Sequence, residues 1–586
     1  LRGKTMDCVG LIGIAVGKDK FSKDAKEVLE MILIVQANST STTDAALDYI
    51  VPACARICRA IGEEFLPYLQ YVIPPLVQKA MSKTDCQITD VLDNEVDTTN
   101  SEEDAKNGIS STVLQIKGME NKRITLNTND VFEKEVAIRA LYDYLDVLEH
   151  NMAQYIEVIT KAVVPLMVYK YAPTIREVAV LMMPRLINAA SVAIKKNLLP
   201  ANNALIGNLL GFMLPNFMSQ LEKEVNMEVL CATGEGMKLL LQTLYESGGY
   251  DDAKTLRAPV YKMPLNMTLK LTEGVCAAAK LSANRRINAM KEAAEKGFEA
   301  EDYEQLEEDL EDEEELMTNL VDSCGYMLKS HKSDFLPAFD AFVGVTFAPL
   351  LQMQNPATLR HNAMCVFDDV IEHCGQGSYK YMDLMLGAAF QYAQDPKGWM
   401  RQAAVYGIRI AAEKAPSQFA PKAAEALNLL AALVTAPNSK TDDNINATEN
   451  AIAAIGTICK YHSNASGVNL QNALPIWFSN LPLVEDEECA QLAALHLCDF
   501  LQSDTSSTLL LGNQYQNAPH LLSTMSQMIL GGNGGGDTDI ELAAPATKQT
   551  LEQLLLHIVP RLPENVRNSS FQSLSDHQKQ YLQSKF

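Results

Sequence analysis

Basic residues are short in this sequence: 49 Lys and Arg stand against 73 Asp and Glu, for a formal net charge of −24. Proteins that hold nucleic acid by its phosphates carry a basic footprint, so this balance argues against direct nucleic-acid binding. Long apolar runs are missing too. The most apolar stretch, Lys161 to Tyr169, is broken by Pro165 and followed by Lys170, so no membrane span is expected. No basic leader with a cleavage site is present. The 12 cysteines include no Cys-x-x-Cys. Unpaired thiols in a long apolar chain read as reduced and buried, which favours cytosol or nucleus. Catalytic sets are absent as well. We find no His-Glu-x-x-His, no serine elbow and no Cys/His pair at a known spacing, and the nine histidines are scattered. We expect neither an enzyme nor a cofactor.

Two glycine-rich stretches imitate nucleotide sites and fail. Gly13 to Lys18 has three residues between its glycines, not four, and Asp19 where a Ser or Thr is needed. Gly532 to Gly536 has no strand before it and no helix straight after it, so it reads as a linker. Cys365, Asp369 and His373 fall on one helical face at i, i+4 and i+8, with Cys374 beside them. A metal site needs convergent ligands, usually from a second element, so we expect no metal there.

What the chain does have is helical periodicity. Ala25 to Val35 puts Val28, Leu29, Ile32 and Leu33 on one face, and Asp44 to Ile61 does the same with Leu47, Ile50, Val51, Cys54, Ile57 and Cys58. Certain words recur. Phe65-Leu66-Pro67 returns as Phe335-Leu336-Pro337 and Phe419-Ala420-Pro421. An apolar residue followed by Arg recurs at Ile175-Arg176, Leu359-Arg360 and Met400-Arg401. Spacings near 40 residues match two-helix repeats, whose pairs bury one face on each other and need neighbours for the rest. We expect an all-α HEAT-repeat solenoid of antiparallel helix pairs. Asp395 is expected to brace the next repeat through Arg401, a structural role for that arginine.

At 586 residues the chain is too long for one core. We divide it into HEAT repeats over 1–84, an acidic insert over 85–128, repeats over 129–298, an acidic insert over 299–316 and repeats over 317–530. A Gly-rich linker over 531–540 and C-terminal helices over 541–586 complete it. Ser111 to Ile116 with Arg123 to Leu126 suggests a short hairpin inside the first insert. The chain starts at Leu1 in mid-pattern, which reads as a piece of a longer protein.

Cys365-Val366-Phe367-Asp368-Asp369-Val370-Ile371-Glu372-His373-Cys374 closely resembles a segment of the importin-β superfamily of karyopherins. Other words agree in order: Leu1 to Thr5, Ala15 to Lys18, Arg401 to Ala404 with Tyr406-Gly407, Asn446 to Asn450, and Leu481 to Leu483 before Glu485-Asp486. The likeness runs along the whole chain and is nearest to the beta-three branch, in its C-terminal half. It implies a non-enzymatic nuclear import receptor, shuttling between cytoplasm and nucleus as a monomer. The implied partners are basic cargo with import signals, the GTPase Ran and Phe-Gly nucleoporins. A HEAT scaffold of another class is the alternative.

Candidate partner contacts are Asp368, Asp369, Glu372, Trp399, Asn446, Glu449 and Asn450. Acids offset the ordering entropy of a disordered Lys-rich signal by charge-assisted hydrogen bonds, and an indole covers a lysine stem. Asp and Asn near repeat turns also brace or cap helices. Most of the acidity sits elsewhere. Residues 299–315 hold twelve acids and 85–104 hold eight, with no bases, so the rest of the chain is nearly neutral. The second stretch includes Glu301, Asp302, Glu304, Glu307, Glu308, Asp309, Glu311 and Asp312. It reads either as a solvated helix extension beside Arg285 and Arg286, or as an electrostatic lure for a basic partner.

Overall fold

A computed structural model describes residues 2–38, 47–91, 108–114, 121–200, 204–251, 255–296, 300–531 and 540–585. They fall into two units, Leu1–Tyr250 with Leu256–Tyr326, and Asp251–Thr255 with Met327–Phe586.

In the first unit, helices Leu47–Ile61, Thr128–Leu148, Pro173–Lys195 and Met227–Glu246 pack one against the next. A second row, Leu69–Met81, Ile156–Val163 and Ala204–Lys223, pairs with them antiparallel. In the second unit the serial row is Ala357–Cys374, Gly398–Lys414, Asp442–Tyr461, Glu487–Gln502 and Pro545–Ile558. Met382–Tyr392, Ala423–Val434 and Leu470–Phe478 lie alongside it. Each unit is thus a stack of helix pairs with its core running along the seam between the rows.

The recurring words have a physical role. Phe65, Phe335 and Phe419 are all fully buried where the chain enters an outer helix. The proline two residues later sits in or beside a tight turn, where its missing N–H is tolerated. Of the anticipated faces, Leu29, Ile32, Ile50, Cys54, Ile57 and Cys58 are buried and Val28, Leu33 and Val51 are half-buried. Burial pushes the Cys54 thiol up to about 12, which keeps it inert.

Three features depart from the sequence expectation. Pro173–Lys195 and the stretch 303–351 are long and apolar enough to cross a membrane, although 72% and 50% of their most apolar windows are buried inside the protein. The hairpin is part of a three-stranded sheet, β1 (Cys86–Val91), β2 (Ile109–Leu114) and β3 (Asn121–Asn127), in the order β1-β3-β2. Both pairings are antiparallel, with Thr112 opposite Ile124 and Ile88 opposite the same residue. Third, the acidic stretch from residue 300 onward is not a separate insert. Ala300–His331 is one helix of 32 residues, packed on Leu265–Lys296 through Ser282, Arg285 and Arg286. Glu313 takes hydrogen bonds from Ser282 Oγ (2.6 Å) and Arg285 Nη2 (3.0 Å), and Glu314 pairs with Arg286 (2.9 Å). The dipole term reaches only the first turn, so the pairing of Glu313 and Glu314 with Ser282, Arg285 and Arg286 is what anchors this helix. Glu304, Glu307, Glu308, Asp309 and Glu311 face solvent, Asp312 is half-buried, and Glu301 and Asp302 contribute backbone to the helix. Gly532–Gly536, Glu299 and most of the first acidic stretch lie outside the described residues.

Candidate partner-binding groove

Within the second unit, the turn between helices Met382–Tyr392 and Gly398–Lys414 and the turn between Ala423–Val434 and Asp442–Tyr461 enclose an open groove of about 1000 Å³. Trp399, Gln402, Asp443 and Asn446 line it, over an apolar floor that includes Leu429 and Leu433.

The groove is held rigid by its own polar residues. Asp395 Oδ2 pairs with both terminal nitrogens of Arg360 at 3.4 Å, and Asp395 Oδ1 accepts the Lys397 N–H at 3.0 Å. Arg401 donates to the carbonyls of Asp395 (2.6 Å) and Pro396 (2.9 Å) and to Asn444 of the next repeat. The brace therefore differs from the one anticipated. The carboxylate of Asp395 reaches back to Arg360, while Arg401 holds main-chain oxygens and reaches forward. Gly398 is required where it stands, because a Cβ there would lie 1.9 Å from the Asp443 carbonyl oxygen.

The seven candidate contacts separate by depth. Trp399 is 38% exposed, with His361 in an edge-to-face arrangement at 5.2 Å and the Lys397 ammonium 5.1 Å from its ring centroid. Asn446 is exposed on the groove wall. Glu449 and Asn450 are buried and committed. Glu449 accepts the N–H groups of Val484, Glu485 and Asp486 at 2.8, 3.1 and 2.9 Å. Burial raises its carboxyl above the ordinary value, against the pull of those three donors. Asn450 donates to the Asn446 carbonyl (3.0 Å) and to Asp486 (3.1 Å), and Asp486 caps the following helix through Cys489 N–H. Both residues brace the next repeat and do not face the groove.

Asp368, Asp369 and Glu372 form a second cluster on Ala357–Cys374. Asp368 is 3% exposed and its Oδ1 has no hydrogen-bond partner. Burial first, then the charges of Asp369 and Glu372, push its carboxyl well above the usual range. It packs against Gly407, where a Cβ would lie 2.4 Å from Oδ1. Glu372 accepts the Tyr406 hydroxyl at 2.9 Å. His373 Nε2 lies 3.8 Å from Asp369 and 3.9 Å from Glu372, and burial lowers its pKa. These three converge within 4.8 Å, and Cys365 is not among them. All three donors come from one helix, and with the Tyr406 hydroxyl on Glu372 the cluster forms a polar seam between Ala357–Cys374 and Gly398–Lys414.

The sequence reading missed Asp443, Asn444 and Gly398. Their signal was available in the two acids and the Asn opening a helix after Thr441, and in a glycine directly before a tryptophan.

Residues 270–352 match the family model for importin repeat 6. Importin subunit beta-3 of Saccharomyces cerevisiae is 26% identical over 86% of this chain and 43% of its own length. A probable importin-5 homolog of Dictyostelium discoideum is 24% identical over 84% of this chain and 42% of its own. The chain therefore spans less than half the length of these relatives. A crystal structure of a Kap121p mutant superposes over 100% of this chain and 49% of its own, at TM-score 0.73 and 21% identity. Further matching structures show Kap121p bound to RanGTP, to Pho4p and to Nup53p. The fold is the HEAT-repeat stack of helix pairs seen in Kap121p, and over most of its length the sequence is similar to importins.

Proposed function

We propose that this chain is part of a nuclear import receptor that binds basic cargo on its helical stack and is regulated by RanGTP, with no catalytic role of its own. The observation that carries the cargo reading is the groove at Trp399. An exposed indole, the Asp443 carboxylate and the amides of Asn446 and Gln402 share one cleft. An indole face stabilises an ammonium, a carboxylate neutralises it, and side-chain amides bond to an extended peptide backbone. Asp369 and Glu372 add negative charge on a neighbouring repeat. Ran and nucleoporin binding are proposed from the relatives, since Kap121p has been solved with RanGTP and with Nup53p. Shuttling through the pore follows from the same reading.

The test is a fluorescent Lys-rich peptide titrated at rising salt. Binding weakens as the Debye length shortens from ~30 Å at 0.01 M to ~8 Å at 0.15 M, and Trp399→Ala weakens it further. Binding that ignores both salt and Trp399 overturns the reading. The alternative scaffold reading is separated by pull-down, where a stably bound enzyme subunit in place of Ran and pore proteins favours the scaffold.

A further inference from the structure

Lys397 is the residue of the groove without a structural task. Its backbone is fixed by Asp395, by Arg401 on the preceding carbonyl and by the tight approach of Gly398 to Asp443. Its side chain is exposed and makes no ion pair with a described carboxylate. Instead its ammonium lies 5.1 Å from the Trp399 ring centroid. The carboxylate nearest along the chain, Asp395, is already taken by Arg360. The groove thus holds a cation over its only described exposed tryptophan, and that cation is tethered two residues away.

We propose that Lys397 is a built-in stand-in for the ligand: it occupies the cation position on Trp399 that a lysine of a bound basic segment takes, and so sets the affinity of the groove. The inference rests on the cargo reading above and adds its regulation. An incoming ammonium must displace Lys397 from the indole and then sit beside its charge. Both effects oppose binding, and both vanish when Lys397 is neutral. An exposed cation–π contact of this kind corresponds to a two- to fivefold change in affinity. The site accordingly favours a segment whose lysine is followed by further contacts to Asn446 and Asp443, since a lone lysine gains little over Lys397.

The chain has two tryptophans, and Trp477 is fully buried, so collisional quenching reads Trp399 with no ligand present. Caesium, a cationic quencher, is repelled by Lys397. In Lys397→Gln its quenching constant rises about twofold, whereas Lys397→Arg leaves it unchanged. In peptide titrations Lys397→Gln binds a Lys-rich peptide two- to fivefold more tightly, and Lys397→Arg binds as the parent does. Binding that depends on Trp399 but is unchanged or weakened in Lys397→Gln overturns this inference and leaves the cargo reading standing. Caesium quenching unchanged in Lys397→Gln overturns it as well. No peptide binding by the parent or either variant overturns the cargo reading, and this inference with it.

Discussion

Replacing Glu449 decides whether the conspicuous polar residues of these repeats recognise partners or join repeats together. The side chain is 3% exposed, and its carboxylate gathers three consecutive N–H groups of the 484–486 turn at 2.8, 3.1 and 2.9 Å. A hydrogen bond to a charged group contributes about 1.5–3 kcal/mol, so a naive sum for three is too large. Two effects reduce it. Val484 and Glu485 are exposed, so water reaches part of the turn once the carboxylate is gone. Burial of the charge also costs, as the raised carboxyl pKa shows, and removal returns that cost. We expect Glu449→Ala to destabilise this junction by about 2–4 kcal/mol, and Glu449→Gln by about 1–2 kcal/mol, because the amide keeps an acceptor but turns an NH2 toward a donor.

Amide hydrogen exchange is the assay, because it reads the three donors individually. Each 1.4 kcal/mol is a factor of ten, so in Glu449→Ala the amides of Val484, Glu485 and Asp486 exchange at least about tenfold faster. Amides in the middle of Gly398–Lys414 keep their parental rates. Unchanged exchange at 484–486 would refute the brace and return Glu449 to the set of partner contacts.

Asp368→Asn carries a pH signature. The folded carboxyl pKa is raised, first by burial and then by Asp369 and Glu372, so the folded state binds the extra proton and parental stability falls as pH rises above about 4. The asparagine variant lacks that slope. It is the more stable protein at pH 8, with the difference shrinking toward pH 4, and parallel urea midpoints across that range would contradict the assignment. Arg176 grips Glu224 with two bonds (2.7 and 3.0 Å) and the Tyr169 carbonyl with a third (2.9 Å). Arg176→Ala leaves the part-buried Glu224 carboxylate with only the Val225 and Asn226 N–H groups and costs about 1.5–3 kcal/mol in urea unfolding of the first unit, and Arg176→Lys costs less but is not neutral. Gly398→Ala forces the 395–399 turn off the Asp443 carbonyl, which lowers peptide affinity and changes acrylamide quenching of Trp399; parental values for both would show the turn has room.

Much of the fold was legible because the repeats are built from faces. Leu29, Ile32, Cys54 and Ile57 sit at helical spacing with one side apolar, and the buried Phe of each Phe-Leu-Pro word marks the entry to an outer helix. The site was less legible because spacing gives direction and not depth. In Asp442–Tyr461 every residue from 447 to 459 is buried, so the helix has no solvent face from which a ligand-facing Glu449 or Asn450 could be inferred. The Asp395 error has a similar root. Sequence proximity favoured Arg401, six residues on, but stacking repeats brings Arg360, 35 residues back, to the same carboxylate. The three-stranded sheet escaped for a different reason, since β1 and β3 pair across residues whose composition is polar and acidic and gives little strand signal.

These braces constrain how the chain can recognise anything. A helix stack whose neighbours are tied by Arg360–Asp395, Arg401–Asn444, Asn450–Asp486 and Glu449 with the 484–486 turn has already committed these polar groups to its own junctions. Each such group, if borrowed by a partner, would leave a buried donor or acceptor unmet, at about 1–3 kcal/mol apiece. A partner therefore gains most from residues that the stack leaves over. Those are the exposed acids of Ala300–His331 in one unit, and Trp399, Asn446 and Asp443 at the repeat turns of the other. The first offers charge without shape and responds steeply to salt; the second offers shape with one carboxylate and responds to the lysine tethered beside it. A basic segment that binds only the acidic helix loses affinity as salt rises and ignores Lys397, whereas one seated in the groove keeps its dependence on Lys397 at high salt. Titrating one peptide against salt in the parent and in Lys397→Gln therefore assigns it to one surface or the other, because the curves stay apart only if the groove is occupied.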